Sequence, residues 1–157
     1  MDGKMIERVS DCELVVRRSF DARPGLLFMA WTTPDLMMRW WVPKSFGITV
    51  LSAEMDVRTG GGYRFVFAHP ARAEPMAFFG RYLEVLPDAR LVWTNEESAE
   101  GPVSTVTFTA KGDRAEVILH DLYPSKEALE SAVESGSTSA YDEQFAELDA
   151  LVLTLAL

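Results

Sequence analysis

The sequence predicts an α+β protein in which a curved antiparallel sheet of six or seven strands wraps around a long C-terminal helix. Three observations predict this fold. Short apolar runs separated by turn residues follow one another from residue 48 to residue 119, which is typical of an antiparallel meander. Two short helical segments come directly after the first predicted strand. Residues 141–155 repeat apolar side chains every three or four positions, which predicts an amphipathic helix able to cover the sheet.

The N-terminal part of the chain predicts one strand and two helices. Residues 13–20 mix apolar side chains with two arginines, a composition that suits a strand with imperfect alternation. Pro24 then falls in the first turn of a short amphipathic helix over residues 22–31. Thr33, followed by a proline and an aspartate, offers a hydroxyl cap, so a second short helix is expected over residues 34–40.

The middle of the chain predicts the remaining strands. Apolar, strand-like runs occur at residues 48–51, 63–67, 76–85, 91–94, 103–109 and 115–119. Gly60, Gly61 and Gly62 permit positive backbone angles and therefore predict a turn before the second of these runs. They precede a strand rather than a helix and lack a Lys-Ser/Thr ending, so they do not match a phosphate-binding loop.

The last predicted helix is the element on which folding depends. Its apolar side chains are those of Tyr141, Phe145, Leu148, Val152 and Leu155. Each contributes about 1.5–3 kcal/mol when buried, so docking of this helix should decide whether the protein folds. Residues 125–134 are expected to form a turn, which Gly136 separates from the helix. A curved sheet need not seal against the helix along its whole length, and the gap predicts a cavity.

Length and composition indicate a single domain over residues 1–157, with a core over residues 13–156. The 24 acidic residues outnumber the 15 basic ones, and the net charge of −9 argues against nucleic acid or an anionic membrane as a partner. Cys12 is the sole cysteine, so no internal disulfide is expected. Residues 1–11 show no signal-peptide pattern, and no apolar run reaches the length of about 18 residues that suggests a membrane span. We therefore expect a cytoplasmic location.

An ordered set of motifs resembles a known family. The motifs are Phe20-Asp21-Ala22, Ala30-Trp31-Thr32-Thr33-Pro34, Arg39-Trp40-Trp41-x-Pro43, Gly61-Gly62-Tyr63-Arg64-Phe65, Gly80-Arg81-Tyr82-Leu83-Glu84-Val85-Leu86-Pro87 and Arg90-Leu91-Val92-Trp93-Thr94. Together they are similar to the activator of heat-shock-protein-90 ATPase homologue-like domains, within the START-like (SRPBCC, Bet v 1-like) helix-grip superfamily. The resemblance covers residues 13–156.

This resemblance implies a helix-grip fold with a hydrophobic cavity between the sheet and the C-terminal helix. It also implies a ligand class, since relatives bind lipids, hormones or polyketides, and a few catalyse reactions. The chain departs from the family pattern after Gly136, where Ser137-Thr138-Ser139 stands in place of a tryptophan that members often carry. We therefore expect that end of the cavity to be altered or more open.

Aromatic residues are the main candidates for lining the cavity. Such side chains combine a large contact area with, in tyrosine and tryptophan, one polar group. The candidates are Phe28, Trp31, Trp40, Trp41, Tyr63, Phe65, Phe67, Trp93, Tyr141 and Phe145. For each of them, ordinary packing of the helices or of the sheet core is the alternative interpretation.

The polar candidates for the same cavity are Arg64, Arg81 and His120. An arginine in an apolar pocket would select a ligand with a carboxylate, and the same argument extends to Arg39 and Arg58. Which face of its strand each residue occupies depends on a bulge whose position the sequence does not reveal. His120 and the adjacent Asp121 should point to opposite faces of a strand, so they do not form one acid–base pair.

No catalytic residue, cofactor or metal site is predicted, because the two histidines and the one cysteine lack ligand spacing. The first functional hypothesis is a binding module for a small hydrophobic or amphipathic molecule. The second is an enzyme of the cyclase or hydrolase type that uses a histidine or glutamate in the cavity. The third is a chaperone-interaction module, as the family name suggests. Edge strands and exposed aromatic residues also allow a homodimer without requiring one.

Overall fold

A computed structural model describes four stretches of the chain, namely residues 6–42, 44–136, 138 and 140–155. Pro43 of the third family motif and the two serines at positions 137 and 139 lie outside the described residues. The same holds for the expected end of the core at residue 156.

Within the described residues, eight strands form one antiparallel sheet. They are β1 (Ile6–Arg8), β2 (Glu13–Phe20), β3 (Thr49–Met55), β4 (Gly62–Ala68), β5 (Met76–Leu86), β6 (Arg90–Thr94), β7 (Val103–Lys111) and β8 (Arg114–Leu122). Their order across the sheet is β1-β2-β8-β7-β6-β5-β4-β3, and all neighbours are antiparallel. From β3 to β8 each strand pairs with the next along the chain, which confirms the predicted meander.

The prediction of six or seven strands falls short because it omits β1. This strand pairs with β2, with Ile6 opposite Val16 and Arg8 opposite Leu14. It is three residues long, and one side chain of the three is half-buried while two are exposed. A segment so short has no apolar alternation to reveal it, and its pairing with β2 stabilises it instead. The two short helices consequently follow the second strand of the sheet.

The helices of the described chain are α1 (Pro24–Thr32), α2 (Pro34–Trp40), α3 (Lys126–Ser135) and α4 (Ala140–Leu155). Thr33 lies between α1 and α2, but its hydroxyl does not cap α2 as the sequence suggested. Its backbone serves both helices instead. The Thr33 N–H donates to Met29 O at 3.0 Å, and its carbonyl accepts from Met37 N–H at 2.8 Å. These two hydrogen bonds connect the end of α1 directly to the start of α2.

The expected turn over residues 125–134 is a helix, α3. The Ser125 hydroxyl accepts a hydrogen bond from Ala128 N–H at 3.0 Å, which caps the start of the helix. Leu129 is fully buried in a small cluster with Leu14 and Tyr123. Gly136 ends the helix in the left-handed conformation, with φ of 84°. The adjacent Ser125 cap and the burial of Leu129 against the distant Leu14 support this helix.

The C-terminal helix α4 packs its apolar side against the sheet and against α1 and α2. Phe145, Leu148 and Val152 are fully buried in the main core. On its other side, the Glu143 and Glu147 carboxylates accept hydrogen bonds from the backbone N–H groups of the 3₁₀ turn Lys44–Phe46. These contacts confirm the α+β arrangement of a sheet wrapped around a long terminal helix.

No helix in the described ranges has both the length and the apolar character that crossing a membrane requires.

Candidate functional site

A cavity lies between the short helices α1 and α2 and strands β3 to β6. Its volume is about 60 Å³, and its lining consists of Trp31, Met37, Trp41, Met55, Tyr63, Phe65, Phe78, Tyr82, Leu91, Trp93 and Asn95. Residues of α4 do not appear in this lining. The helix borders the cavity indirectly, because the Phe145 ring packs edge-on against Trp31 with 6.3 Å between ring centroids. The Trp40 ring of α2 also packs against Phe145, with 6.4 Å between centroids, so these two indoles lie between α4 and the cavity.

The turn before β4 places Tyr82 in the cavity wall. Gly60 N–H donates to Tyr82 O, and Tyr82 N–H donates to Gly61 O, each at 2.8 Å. Gly60 has φ of 88°, a conformation that a side chain would strain. On the other side of β5, Tyr82 pairs with Trp93 of β6, and the register shifts directly afterwards, between Tyr82 and Glu84. This β-bulge bends β5 at the point where its tyrosine faces the cavity.

The indole of Trp31 is the centre of the aromatic wall. Its ring centroid lies 4.6 Å from that of Trp40 and 5.8 Å from those of Trp41 and Trp93. Trp31 is 2% exposed, and its Nε1 has no hydrogen-bond partner among the described residues. By contrast, Trp40 Nε1 donates to Ala30 O at 3.0 Å. The cavity wall therefore contains one buried N–H group whose hydrogen-bonding capacity is not used by this part of the chain.

Two polar side chains of the lining are held by the ends of neighbouring strands. The Tyr63 hydroxyl donates to Thr94 O at 2.7 Å. The Asn95 amide group donates to Pro102 O at 2.7 Å and to the Ser104 hydroxyl at 3.1 Å. These bonds fix both side chains, so their polar atoms are already engaged.

A buried carboxyl continues this network behind the cavity. Ser104 lies opposite Asp121 in the β7–β8 register, and its hydroxyl donates to Asp121 Oδ1 at 2.6 Å. The Tyr141 hydroxyl of α4 donates to Asp121 Oδ2 at 2.6 Å. Burial raises the pKa of Asp121, while the two O–H donors act in the opposite direction. The network ties α4 to the middle of the sheet through hydrogen bonds as well as apolar packing.

Burial raises the pKa of every tyrosine in the chain, namely Tyr63, Tyr82, Tyr123 and Tyr141, above the ordinary value of 10.0. The folded protein favours the neutral phenol. The contribution of the tyrosines to the free energy of unfolding is therefore fully present below pH 10. It is lost as the pH rises above 10, because the unfolded chain then releases protons that the folded chain retains.

We therefore expect the folded protein to show no phenolate absorbance near pH 10. The absorbance should appear at higher pH in a single step that coincides with loss of the far-ultraviolet circular dichroism signal. The protein unfolded in denaturant is the control, in which all four phenols should titrate with the ordinary pKa. Gradual ionisation around pH 10 without unfolding would contradict the burial of these rings.

The structure brings five of the ten aromatic candidates together around the cavity. These are Trp31, Trp41, Tyr63, Phe65 and Trp93. The other five lie outside its lining and pack within the helices or the sheet. Phe28 and Phe67 pack against the rings of Phe108 and Phe78, and Phe145 is buried in the core. Trp40 donates a hydrogen bond to Ala30 O, and Tyr141 donates one to Asp121.

The polar candidates lie outside the cavity lining. Arg64 and Arg81 are exposed on their strands, and Arg81 Nε contacts the Glu96 carboxylate at 2.7 Å. His120 Nε2 is 2.8 Å from the Glu13 carboxylate, so that it points away from its neighbour Asp121. The opposite orientation of these adjacent β8 side chains follows from strand geometry, as expected.

Six residues of the lining were not among the candidates: Met37, Met55, Phe78, Tyr82, Leu91 and Asn95. A strand signal existed for two of them. Phe78, Gly80 and Tyr82 alternate along β5, and alternate residues of a strand share one face. Assigning that face to the cavity requires the position of the bulge after Tyr82, which has no clear sequence signal. In the described part of the chain, no group of three or more His, Cys, Asp or Glu side chains is placed to hold a metal ion.

Comparisons with solved structures place the fold among known ones. A protein from Rhodobacter sphaeroides superposes with a TM-score of 0.85 at 23% identity, covering 96% of this chain and 97% of that one. A protein from Nitrosomonas europaea gives 0.84 at 18% identity, with 95% and 99% covered. The AHSA1-like protein from Aeromonas hydrophila gives 0.71 at 16% identity, with 88% and 92% covered. These likenesses concern the fold.

Comparison with curated proteins finds no match. The sequence itself matches a protein family over residues 21–152, the family described as "Activator of Hsp90 ATPase homolog 1-like protein". The match spans both short helices, strands β3 to β8 and most of α4. The chain therefore belongs to the family of proteins like the activator of Hsp90 ATPase homolog 1, with its START-like helix-grip fold.

Proposed function

We propose that the protein binds a small, mainly apolar molecule in the cavity beneath α1 and α2. The observation that carries this proposal is the chemistry of the lining. Three tryptophans and seven further apolar or phenolic side chains surround the space, and Asn95 is the sole amide among the described residues of the lining. Apolar pockets with a few polar groups are the usual form of small-molecule sites.

The size of the cavity limits the ligand. A water molecule needs about 10–15 Å³ measured in this way, so the cavity of about 60 Å³ has room for a few waters. Typical ligand pockets measure about 300–1,000 Å³. A ligand of the size of a substituted benzene therefore requires side chains to move. Met37 and Met55 are suited to this, since methionine is unbranched and adapts its shape easily.

The residues of the lining support binding of a ligand without catalysis. The lining's titratable groups among the described residues are Tyr63 and Tyr82, and burial raises the pKa of both phenols. Both are therefore neutral near pH 7 and unsuited to act as general bases. His120, the histidine considered for an enzyme, is paired with Glu13 outside the lining.

A screen of small aromatic and short aliphatic compounds tests this proposal. We expect some of them to raise the melting temperature, since a ligand that binds only the folded state stabilises it by about 2.7 kcal/mol at 100 times its Kd. The same compounds should change the tryptophan fluorescence, because three of the four tryptophans line the cavity.

Two matched variants locate the binding. Leu91→Phe enlarges a lining residue and should abolish or weaken the stabilisation, whereas Leu83→Phe, at a 44% exposed position, should leave it unchanged. The proposal fails if no compound stabilises the protein, or if Leu91→Phe responds to every compound as the wild type does.

A further inference from the structure

Two hydrogen-bond donors of the cavity lining are unused by the described residues. Trp31 Nε1 is buried and has no partner there. Tyr82 is 4% exposed, burial is the cause that raises the pKa of its phenol, and no described residue hydrogen-bonds its hydroxyl. Both residues line the same cavity. Trp31 Nε1 is fully buried, whereas the Tyr82 hydroxyl is not among the fully buried unpaired atoms. An acceptor on a ligand can therefore reach the Tyr82 hydroxyl, and a ligand that encloses this hydroxyl without an acceptor leaves the donor unpaired, which is unfavourable.

Tyr63 differs from Tyr82 although both are phenols of the lining. Its hydroxyl already donates to the backbone oxygen of Thr94 at 2.7 Å. The two rings lie close together, with 5.8 Å between centroids. The cavity thus has two neighbouring tyrosines in its lining. Tyr63 is half-buried and its hydroxyl is hydrogen-bonded, whereas Tyr82 is buried and its hydroxyl has no partner among the described residues. This pair provides a matched comparison.

The charges around the cavity are unfavourable for an anion. The lining contains no cationic side chain among the described residues. Burial, and then the negative charges of Glu97 and Glu96, raise the pKa of the Tyr63 phenol, so two carboxylates act on this end of the cavity. The nearby Arg81 is exposed and contacts Glu96. A carboxylate entering this apolar space would lose its hydration without gaining a counter-ion.

We propose that the cavity selects a neutral aromatic or apolar molecule that carries a carbonyl group, and that it discriminates against the corresponding carboxylate. This inference rests on the proposed function and specifies its ligand class. A carbonyl oxygen has two lone pairs and no proton, so it accepts hydrogen bonds from an O–H or an N–H group without introducing another donor. An aldehyde, ketone, ester or amide meets this requirement.

Three probes of nearly equal shape separate the alternatives. Acetophenone carries the carbonyl, α-methylstyrene replaces its oxygen by a CH₂ group, and benzoate replaces its methyl group by an anionic oxygen. The dissociation constant of each is measured by tryptophan fluorescence and calorimetry near pH 7. We expect acetophenone to bind on the order of tenfold more tightly than α-methylstyrene, the loss expected when a buried donor stays unpaired. Benzoate should bind most weakly.

Two variants test the origin of this order. Tyr82→Phe should reduce the preference for acetophenone over α-methylstyrene and leave the affinity for α-methylstyrene nearly unchanged. Tyr63→Phe, which removes a hydroxyl already bonded to Thr94 O, should keep the wild-type preference. Melting temperatures of both variants without ligand show whether each remains folded.

The outcomes distinguish this inference from the proposed function. Equal affinities for acetophenone and α-methylstyrene, or tightest binding of benzoate, would overturn the inference while leaving small-molecule binding in place. An unchanged acetophenone preference in Tyr82→Phe would overturn the role of the Tyr82 hydroxyl. Failure of all three probes to bind would overturn the inference, and failure of the whole compound screen would remove the proposed function as well.

Discussion

Replacing Phe145 by alanine should lower the free energy of unfolding by about 3–5 kcal/mol. Phe145 is fully buried on α4, and its ring packs against Phe20 at 5.8 Å and Trp31 at 6.3 Å between centroids. Its removal leaves a cavity where the helix, the sheet and the cavity wall meet, and these well-packed aromatic neighbours cannot easily collapse into it. Urea denaturation followed by circular dichroism measures the change.

The control for this variant lies on the same helix. Leu153 is 53% exposed, so Leu153→Ala should change the free energy of unfolding by no more than about 0.5 kcal/mol. Both substitutions introduce the same helix-favouring residue, which separates the loss of packing from any effect on helix propensity. Similar stabilities for the two variants would mean that α4 is not docked through Phe145.

Replacing Gly80 by alanine should destabilise the protein by about 3 kcal/mol, at the upper end of the cost of overpacking. A Cβ at this position would lie 2.1 Å from Thr94 O, which is a backbone atom and cannot move away as a flexible side chain would. Strands β5 and β6 must therefore separate there. Thr94 O also accepts the hydrogen bond of the Tyr63 hydroxyl, so the cavity wall should shift with it.

Gly25 provides the matched control for Gly80. It lies in the first turn of α1, and a Cβ there would meet its nearest atoms, those of the Asp88 carboxyl, at 3.5 Å, an ordinary contact distance. Gly25→Ala should be neutral or stabilise the protein by about 0.5–1 kcal/mol, since alanine favours a helix more than glycine does. The two variants, compared by urea denaturation, are expected to differ in sign. Wild-type stability for Gly80→Ala would show that β5 and β6 are not closely paired at this glycine.

The elements predicted well from the sequence are those whose signals are local. The apolar period of Tyr141 to Leu155 predicted α4, and the turn glycines predicted the start of β4. The segment of α3 was expected only as a turn, although the Ser125 cap is a local start signal; burial of Leu129 against the distant Leu14 adds to it. The strand β1 was missed because three residues of pairing with β2 leave no periodic pattern. The pairing of β1 and the burial of Leu129 in α3 are tertiary contacts, which local propensity does not reveal.

The cavity was harder to predict than the fold. Aromatic content identified five of its eleven lining residues, including Trp31 and Tyr63, because large rings tend to line apolar sites. The remaining wall depends on which face of β5 turns inward, and a bulge after Tyr82 sets that face. Tyr82 is important because no described residue accepts a hydrogen bond from its hydroxyl. This property can be seen only in the folded structure. The arginines were considered as cations of the cavity because of their charge alone. In the structure, Arg64 and Arg81 lie on the exposed face of their strands.

The most direct test of the account is a nuclear magnetic resonance titration of the tryptophan side chains with acetophenone. The four indole N–H signals are assigned with single Trp→Phe variants. We predict saturable shifts for Trp31, Trp41 and Trp93, which line the cavity, and a smaller shift for Trp40, whose N–H is bonded to Ala30 O. Shifts that grow linearly without saturation, or that affect surface residues while the three cavity indoles stay unchanged, would contradict a binding cavity beneath α1 and α2.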